Sequence, residues 1–378
     1  MNTLAQVAMR SVRQSRLNQL AIPIDDSPVP FECKLWRSNG FSDSTIYQVA
    51  DDFGTYAIRS WPNRFDTPSK LAFWSCVNDT IALSEENLRA VGASYLTPFP
   101  KIFNWYPPGV LAASSLHFND QLWTLCDWVQ GKSIPVGNVD KKLVHHLATV
   151  LGRLHKHSRV ALNPMGEPLG QQSMASSSIR ERLESLEIAD NWLFAAIDKS
   201  AFLSTHNLSE RVKHCLAIVL ERKPNWQQFL SICAKQPRDC HWIVRDLWRE
   251  NVLLDDSFRF SSIVDLGAAR FDWPGLDFIR LFGSLSYGFE PSLNSNATHG
   301  DDLWMNAYAA YVNEYPSHSI ESLDECRILN RVSNGLSVVQ WVRWIHERTM
   351  DLSDAGKSER VSNRIAEICD RFLTEAYD

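Results

Sequence analysis

Arg245-Asp246-Leu247-Trp248-Arg249-Glu250-Asn251 and, fourteen residues after that asparagine, Asp265-Leu266-Gly267 frame a short β signal in the second half of the chain. Asn251 to Leu254 and Phe258 to Val264 read as two strands turned around Asp255-Asp256-Ser257, so a β-hairpin interrupts a run of helical spacing. An Asp followed five residues later by Asn says little alone, since average composition yields roughly one such pair in a chain of this length. Geometry adds weight. Asn251 opens the first strand and Asp265 closes the second, and antiparallel pairing then brings the two side by side. An amide oxygen and a carboxylate meeting at one end of a hairpin suit a hard, oxygen-seeking Mg²⁺ that bridges phosphates. Asp246, upstream in the loop, is then placed to face a hydroxyl nucleophile. A capped loop and a plain hairpin corner would explain the same residues without chemistry, and the concerted order Asp, Asn, Asp argues against that.

Outward from the hairpin, the first 131 residues read as a sheet with one main helix. Leu35-Trp36, Ile46 to Ala50 and Tyr56 to Arg59 are strands, the last two joined across Asp51-Asp52-Phe53-Gly54, a hairpin signal. Thr67-Pro68 opens a helix running through Leu71, Phe73, Trp74 and Val77, with Thr as cap and Pro at the first position. Two more strand-like pieces span 109–118 and 121–129. After Gly131 the period becomes 3.6, carried by Leu143, Leu147, Val150, Leu151 and Leu154. Gln171 to Ser178 is a polar loop, and Ser178 with Glu181 has the spacing of a capping box. From about Asp301 helical spacing resumes. The expected organisation is an N-terminal helical extension (1–30), a nucleotide-binding lobe (31–131) and a helical lobe (132–378) with the catalytic loop and substrate region.

Composition narrows the class. The 378 residues are 44% hydrophobic and 22% charged, which requires a packed core and excludes a disordered, collagenous or coiled-coil chain. With 38 Lys and Arg against 44 Asp and Glu, the net charge is -6, and no dense basic stripe suits nucleic acid. No run of 18 apolar residues exists, so no membrane span is expected. Arg10, Arg13 and Arg16, with no acid before Asp25, give a faint transit-peptide pattern, and a short amphipathic helix through Leu4, Val7, Ala8 and Val12 explains the same residues. Cys33, Cys76, Cys126, Cys215, Cys233, Cys240, Cys326 and Cys369 show no Cys-x-x-Cys pair and read as reduced thiols of a cytoplasmic protein.

An Asp that orients a hydroxyl, followed by Asn and a second Asp that hold metal, is the arrangement of phosphoryl transfer in the kinase class. Here the sequence resembles the aminoglycoside phosphotransferase and choline kinase-like family. The resemblance runs from Gly40-Phe41-Ser42-Asp43-Ser44-Thr45, through Trp128-Val129-Gln130-Gly131, to Ile263-Val264-Asp265-Leu266-Gly267 and Asp277. It implies a bilobed, protein-kinase-like α+β fold with a small β-rich lobe, a larger helical lobe and nucleotide in the cleft. Carried over, Asp246 is the catalytic base, Asn251 and Asp265 are Mg²⁺ ligands, and Arg59 is the phosphate-binding cation. Gly40, Ser42 and Ser44 belong to the loop over the phosphates of ATP, while Leu125, Cys126 and Trp128 belong to the hinge that offers backbone groups to adenine.

Two departures stand out. Val244 occupies the place of the family His two residues before the catalytic Asp, and Arg245 replaces the Gly between them. Arg59 replaces the commoner Lys, which a guanidinium can do because it binds phosphate through a fork. No acid in Lys70 to Leu83 is clearly spaced to pair with it; Asp79, Glu85 and Glu86 are candidates poorly placed by spacing, and the pair stays unassigned. Asp277, before a helix, reads as a structural N-cap.

The expected function is ATP-dependent phosphorylation of a hydroxyl on a small polar or amine-bearing molecule. Trp304, Tyr308 and Tyr311 at helical spacing, with Trp341 and Trp344, could cage a cation, and Asp301, Asp302 and Glu347 could attract an amine, although such a stripe also suits a core. A protein kinase is disfavoured because no Ala-Pro-Glu segment follows Asp265. The alternative from another class is a nucleotide-binding pseudokinase that serves as an interaction module.

Overall fold

The structure, a computed structural model, describes residues 2–20, 31–37, 45–52, 54–61, 75, 77, 99–103, 115–137, 139–160, 172–286, 299–316, 322–347 and 352–376. In chain order the elements are α1 (Asn2–Leu20), β1 (Glu32–Arg37), β2 (Ile46–Asp51), β3 (Gly54–Trp61), β4 (Ile102–Phe103), β5 (Leu116–Phe118), β6 (Gln121–Asp127), β7 (Lys132–Ser133) and α2 (Lys141–Val160). Then come β8 (Gln172–Ala175), α3 (Ser177–Ile188), α4 (Trp192–Asp198), α5 (Ala201–Thr205), α6 (Ser209–Cys233), β9 (Pro237–Ile243), β10 (Val252–Leu254), β11 (Phe260–Ile263) and β12 (Arg270–Asp272). Four helices close the chain: α7 (Gly275–Ser286), α8 (His299–Glu314), α9 (Leu323–His346) and α10 (Ala355–Ala376). The helix expected after Thr67-Pro68 and the loop residues Gly40, Ser42 and Ser44 lie outside the described residues, as do Asp79, Glu85 and Glu86.

The chain divides into two compact units. The first comprises Met1–Gln171, His241–Phe271 and Asn306–Tyr315; the second comprises Gln172–Cys240, Asp272–Met305 and Pro316–Asp378.

In the first unit, antiparallel strands run in the order β1-β2-β3-β6-β4, with β5 also on β6. Leu4, Ala5, Ala8, Met9 and Val12 form one stripe of α1 and are buried against Val49, Tyr56, Ile58, Phe103, Trp123 and Leu125. The period of a strand is two, so Tyr56 and Ile58 face α1 while Ala57, Arg59 and Trp61 line the opposite face. That alternation is what puts Arg59 on the face away from the helix. Asp140 caps α2, accepting from Leu143 N at 2.7 Å, and Leu143, Leu147, Leu151 and Leu154 bury its apolar face.

The β10-β11 hairpin is present and pairs in the register Val252 with Ile263, Leu253 with Ser262 and Leu254 with Phe260, with β7 added on β10. The loop expected over Gln171 to Ser178 contains β8, which pairs Gln172 to Ala175 with Cys240 to Pro237 of β9 in the second unit. The cap of α3 also differs from the expected box at Ser178. Ser176 is the capping residue, accepting from Ile179 N at 3.3 Å, and Ser178 is buried in the first turn, where its N–H donates to Asp272. An acid from β12 thus satisfies the donor that Glu181 had been expected to help organise.

The second unit is a helical assembly around α9, which packs against α3, α4, α6, α7 and α10. The apolar runs Trp192 to Ile197 and Cys215 to Leu220 are helical, in α4 and α6, and bury Leu193, Ala196, Ile197, Cys215, Leu216 and Val219, while Trp192 is exposed. Arg238 pairs with Glu325 in the interior and stacks its guanidinium 4.2 Å from the Trp273 ring centroid. Among the described residues the seven cysteines are unbridged thiols, and no helix is long and apolar enough to cross a membrane.

Candidate active site

β9 ends at Ile243, and the chain turns through a loop anchored by the fully buried Val244 and Leu247. Arg245 sits at φ +67°, a left-handed backbone that a non-glycine residue adopts only where its surroundings enforce it. Asp246 N–H then donates to Val244 O at 2.9 Å and Trp248 N–H to Asp246 O at 3.1 Å. Its carboxylate accepts from the Trp248 indole N–H at 2.6 Å, which fixes the direction of the acid. Asn251 lies in a 3-10 turn, Arg249–Asn251, one residue before the strand it had been expected to open. Its side-chain nitrogen donates to Asp246 O at 2.8 Å, so the amide presents its nitrogen to the loop and its oxygen away from it.

On the other strand of the hairpin, Val264 N–H donates to Asn251 O at 2.8 Å. Continued register therefore sets Val264 opposite Asn251, and Asp265 follows one step beyond. Asp265 is itself left-handed, φ +63° and ψ +59°. Two strained residues, Arg245 and Asp265, thus flank the hairpin at the points where the candidate acids emerge, as strain tends to do at functional sites.

Asp265 Oδ1 lies 2.5 Å from Arg59 Nη2. Arg59, buried on β3, also stacks its guanidinium carbon 4.4 Å from the centroid of Trp61, whose indole N–H donates to Thr124 Oγ1 at 2.9 Å. Gly267 adjoins all three groups: a Cβ there would lie in ordinary contact, 3.4 Å from Asp265 Oδ1, 3.5 Å from the Trp61 ring and 3.6 Å from Arg59 Nη2.

The hinge stretch is more varied than its sequence suggests. Leu125 turns its side chain into the α1 core. Cys126 faces the other way; burial pushes its thiol up to about 12, against the lowering effect of Arg59, so it stays protonated. The N–H groups of Asp127 and Trp128 are engaged by Lys101 O and Thr55 O. Trp128 meets Trp36 edge-on at 4.8 Å between centroids. Trp304 packs on Phe278, and Tyr311 hydrogen-bonds His155 Nδ1 at 2.7 Å; these two rings are core, which removes them from the expected cation cage. Glu347 pairs with Arg343 one turn earlier. Asp277 is fully buried inside the first turn of α7 and so lies past the cap position.

Asn251 and Asp265 offer the oxygen donors that Mg²⁺ takes, and among the described residues no group of three or more His, Cys, Asp or Glu forms a metal cage. Two protein oxygens, completed by phosphate and water oxygens, fit a nucleotide-borne Mg²⁺ better than a dedicated structural metal. Trp61 and Trp248 were not singled out in the sequence, although each follows a candidate residue at i+2.

A profile of the phosphotransferase enzyme family matches residues 38–315. The chain belongs to that family. The profile covers Arg59, Asp246, Asn251 and Asp265 alike. The fold of this phosphotransferase is protein-kinase-like: a Ralstonia eutropha protein assigned as an aminoglycoside phosphotransferase is similar at 10% identity and TM-score 0.53, covering 97% of both chains. An amicoumacin kinase in complex with AMP-PNP and Ca²⁺ is similar at 15% identity and TM-score 0.50, covering 97% of this chain and 95% of the other. No curated protein sequence matches the chain significantly.

Proposed function

We propose that this phosphotransferase moves the terminal phosphoryl group of ATP to a hydroxyl of a small polar or amine-bearing molecule. The observation that carries the reading is the convergence of Asp246, Asn251 and Asp265 at one end of a hairpin with Arg59 paired to Asp265. A lone cation or acid would be unremarkable; two hydrogen-bonded pairs, Asn251 on the Asp246 backbone and Arg59 on Asp265, support a phosphate site with an acid beside it.

In this reading Asp246 holds the acceptor hydroxyl and takes its proton as the oxygen attacks phosphorus, while ADP leaves with the former bridging oxygen. Trp248 keeps the carboxylate aimed. Asn251 ties the loop backbone at Asp246 to the hairpin, so acid and metal ligand move as one piece. Arg59 neutralises phosphate charge through its fork. Bound Mg²⁺ would be held by Asn251 Oδ1 and Asp265 and would neutralise charge on the phosphates. Ala57, Cys126 and Trp128 line the strand face expected to receive the base. ATP consumption measured against a panel of hydroxylated amines, sugars and amino acids tests the reading: at least one acceptor should raise turnover well above the water background. Uniform background across a panel that includes amines and neutral polyols would count against it.

A further inference from the structure

Besides its pair with Asp265, the Arg59 guanidinium lies over the ring of Trp61, two residues on in the same strand. We infer that Trp61 is the positioning residue for Arg59, its indole face serving as the platform on which the phosphate-binding cation lies. This rests on the nucleotide reading above.

Residues i and i+2 of a strand share a face, so Arg59 and Trp61 emerge from β3 side by side. The guanidinium carbon sits 4.4 Å from the ring centroid, within cation–π range. The ring is itself pinned. It is 1% exposed, and its N–H is anchored by Thr124, the residue directly opposite Arg59 in the β3-β6 register. Gly267 lies beside both groups, at distances where a Cβ would make ordinary contact with the ring and Nη2. Asp265 takes one edge of the guanidinium, and the indole takes its plane. A planar guanidinium can lie flat on an indole while directing its N–H groups outward, and an ammonium cannot. The platform thus gives a physical reason for arginine at a position where lysine is commoner.

The test compares dissociation constants for Mg-ATP and for adenosine, by calorimetry, in wild type, Trp61→Phe, Trp61→Leu and Arg59→Lys. A ring that merely fills the core would, when removed, lower stability and weaken both ligands together. A platform for Arg59 acts on phosphate alone. Trp61→Leu should cut the preference for ATP over adenosine roughly 3- to 30-fold with adenosine affinity retained, the range expected for a lost cation–π contact. Trp61→Phe, which keeps a ring face, should restore the preference. Where Trp61→Leu fails to fold, Arg59→Lys decides, because it keeps both the charge and the buried indole; the preference should still fall. A wild-type preference in either Trp61→Leu or Arg59→Lys overturns the platform. A wild-type protein that does not prefer ATP to adenosine overturns the nucleotide reading itself and the platform with it.

Discussion

Arg59 Nη2 lies 2.5 Å from Asp265 Oδ1, joining the third strand of the sheet to the end of a hairpin two hundred and six residues later. The arginine side chain is 10% exposed and the aspartate 37%, so solvent screens the pair and its worth to stability is modest. Its value is positional. It holds the candidate phosphate cation and a candidate metal ligand in contact before any ligand arrives.

Arg59→Ala should therefore weaken ATP far more than adenosine. The lost contact is a charge-assisted bond to phosphate, worth about 1.5 to 3 kcal/mol, while the base is untouched. Calorimetric titration with each ligand checks this. Equal weakening of both would mean that Arg59 supports the fold and not the phosphates.

Asp246→Asn should leave folding and ATP affinity close to wild type and lower turnover by about 10² to 10⁴, the usual worth of a positioned acid or base. The isosteric amide can still accept from the Trp248 indole, so the loop is kept. Turnover at the wild-type rate would remove Asp246 from the chemistry.

Asp265→Ala should abolish the gain in nucleotide affinity that Mg²⁺ provides, because a hard cation would be left with too few protein oxygens. The expected calorimetric result is one ATP affinity with and without Mg²⁺. A preserved Mg²⁺ dependence would exclude Asp265 from the metal site.

Much of this site was legible because local chemistry specifies it. The hairpin turn announces itself in Asp255, whose carboxylate accepts from Ser257 N and Arg259 N at 2.8 and 2.9 Å, a short-range device that any sequence window contains. β8 was not legible. Gln172-Ser173-Met174-Ala175 carries no apolar alternation, and it is a strand only because Pro237 to Cys240, some sixty residues away, pairs with it. The side-by-side placement of Asn251 and Asp265 was off by one residue, since Asn251 ends a 3-10 turn and Asp265 turns left-handed; neither follows from strand period. Trp61 was not legible for a plainer reason: the strand expected over Tyr56 to Arg59 stopped short of it, whereas the strand runs on to Trp61, and its contact with Arg59 becomes significant only once Arg59 is paired with Asp265.

Acid should destabilise the protein through His241. Burial, then the neighbouring His155, holds its imidazole down at about 3 from the ordinary 6.5, against the hydrogen bond from Nδ1 to Trp242 O, with Arg159 adding to the lowering. The groups packed on it are His155 and Tyr315, and Tyr311 contacts both of these. The unfolded chain takes up this proton near pH 6.5 and the folded chain refuses it until near pH 3. Between those values the unfolded state binds more protons, so this contribution to stability is present above pH 6.5 and is lost as pH falls toward 3. His241→Phe should shrink the drop in melting temperature between pH 7 and pH 5. An unchanged drop would locate the acid sensitivity elsewhere.

If Arg59, Asp246, Asn251 and Asp265 bind a metal-bearing nucleoside triphosphate for transfer, thermal-shift titration of the wild-type protein with Mg-ATP must show it, without knowledge of the acceptor. A ligand bound only by the folded state raises the melting temperature in proportion to the logarithm of its concentration over its dissociation constant. Millimolar Mg-ATP is expected to raise it, adenosine to raise it less, and Asp265→Ala to remove the Mg²⁺-dependent part. No shift with millimolar Mg-ATP would exclude nucleotide binding by these residues.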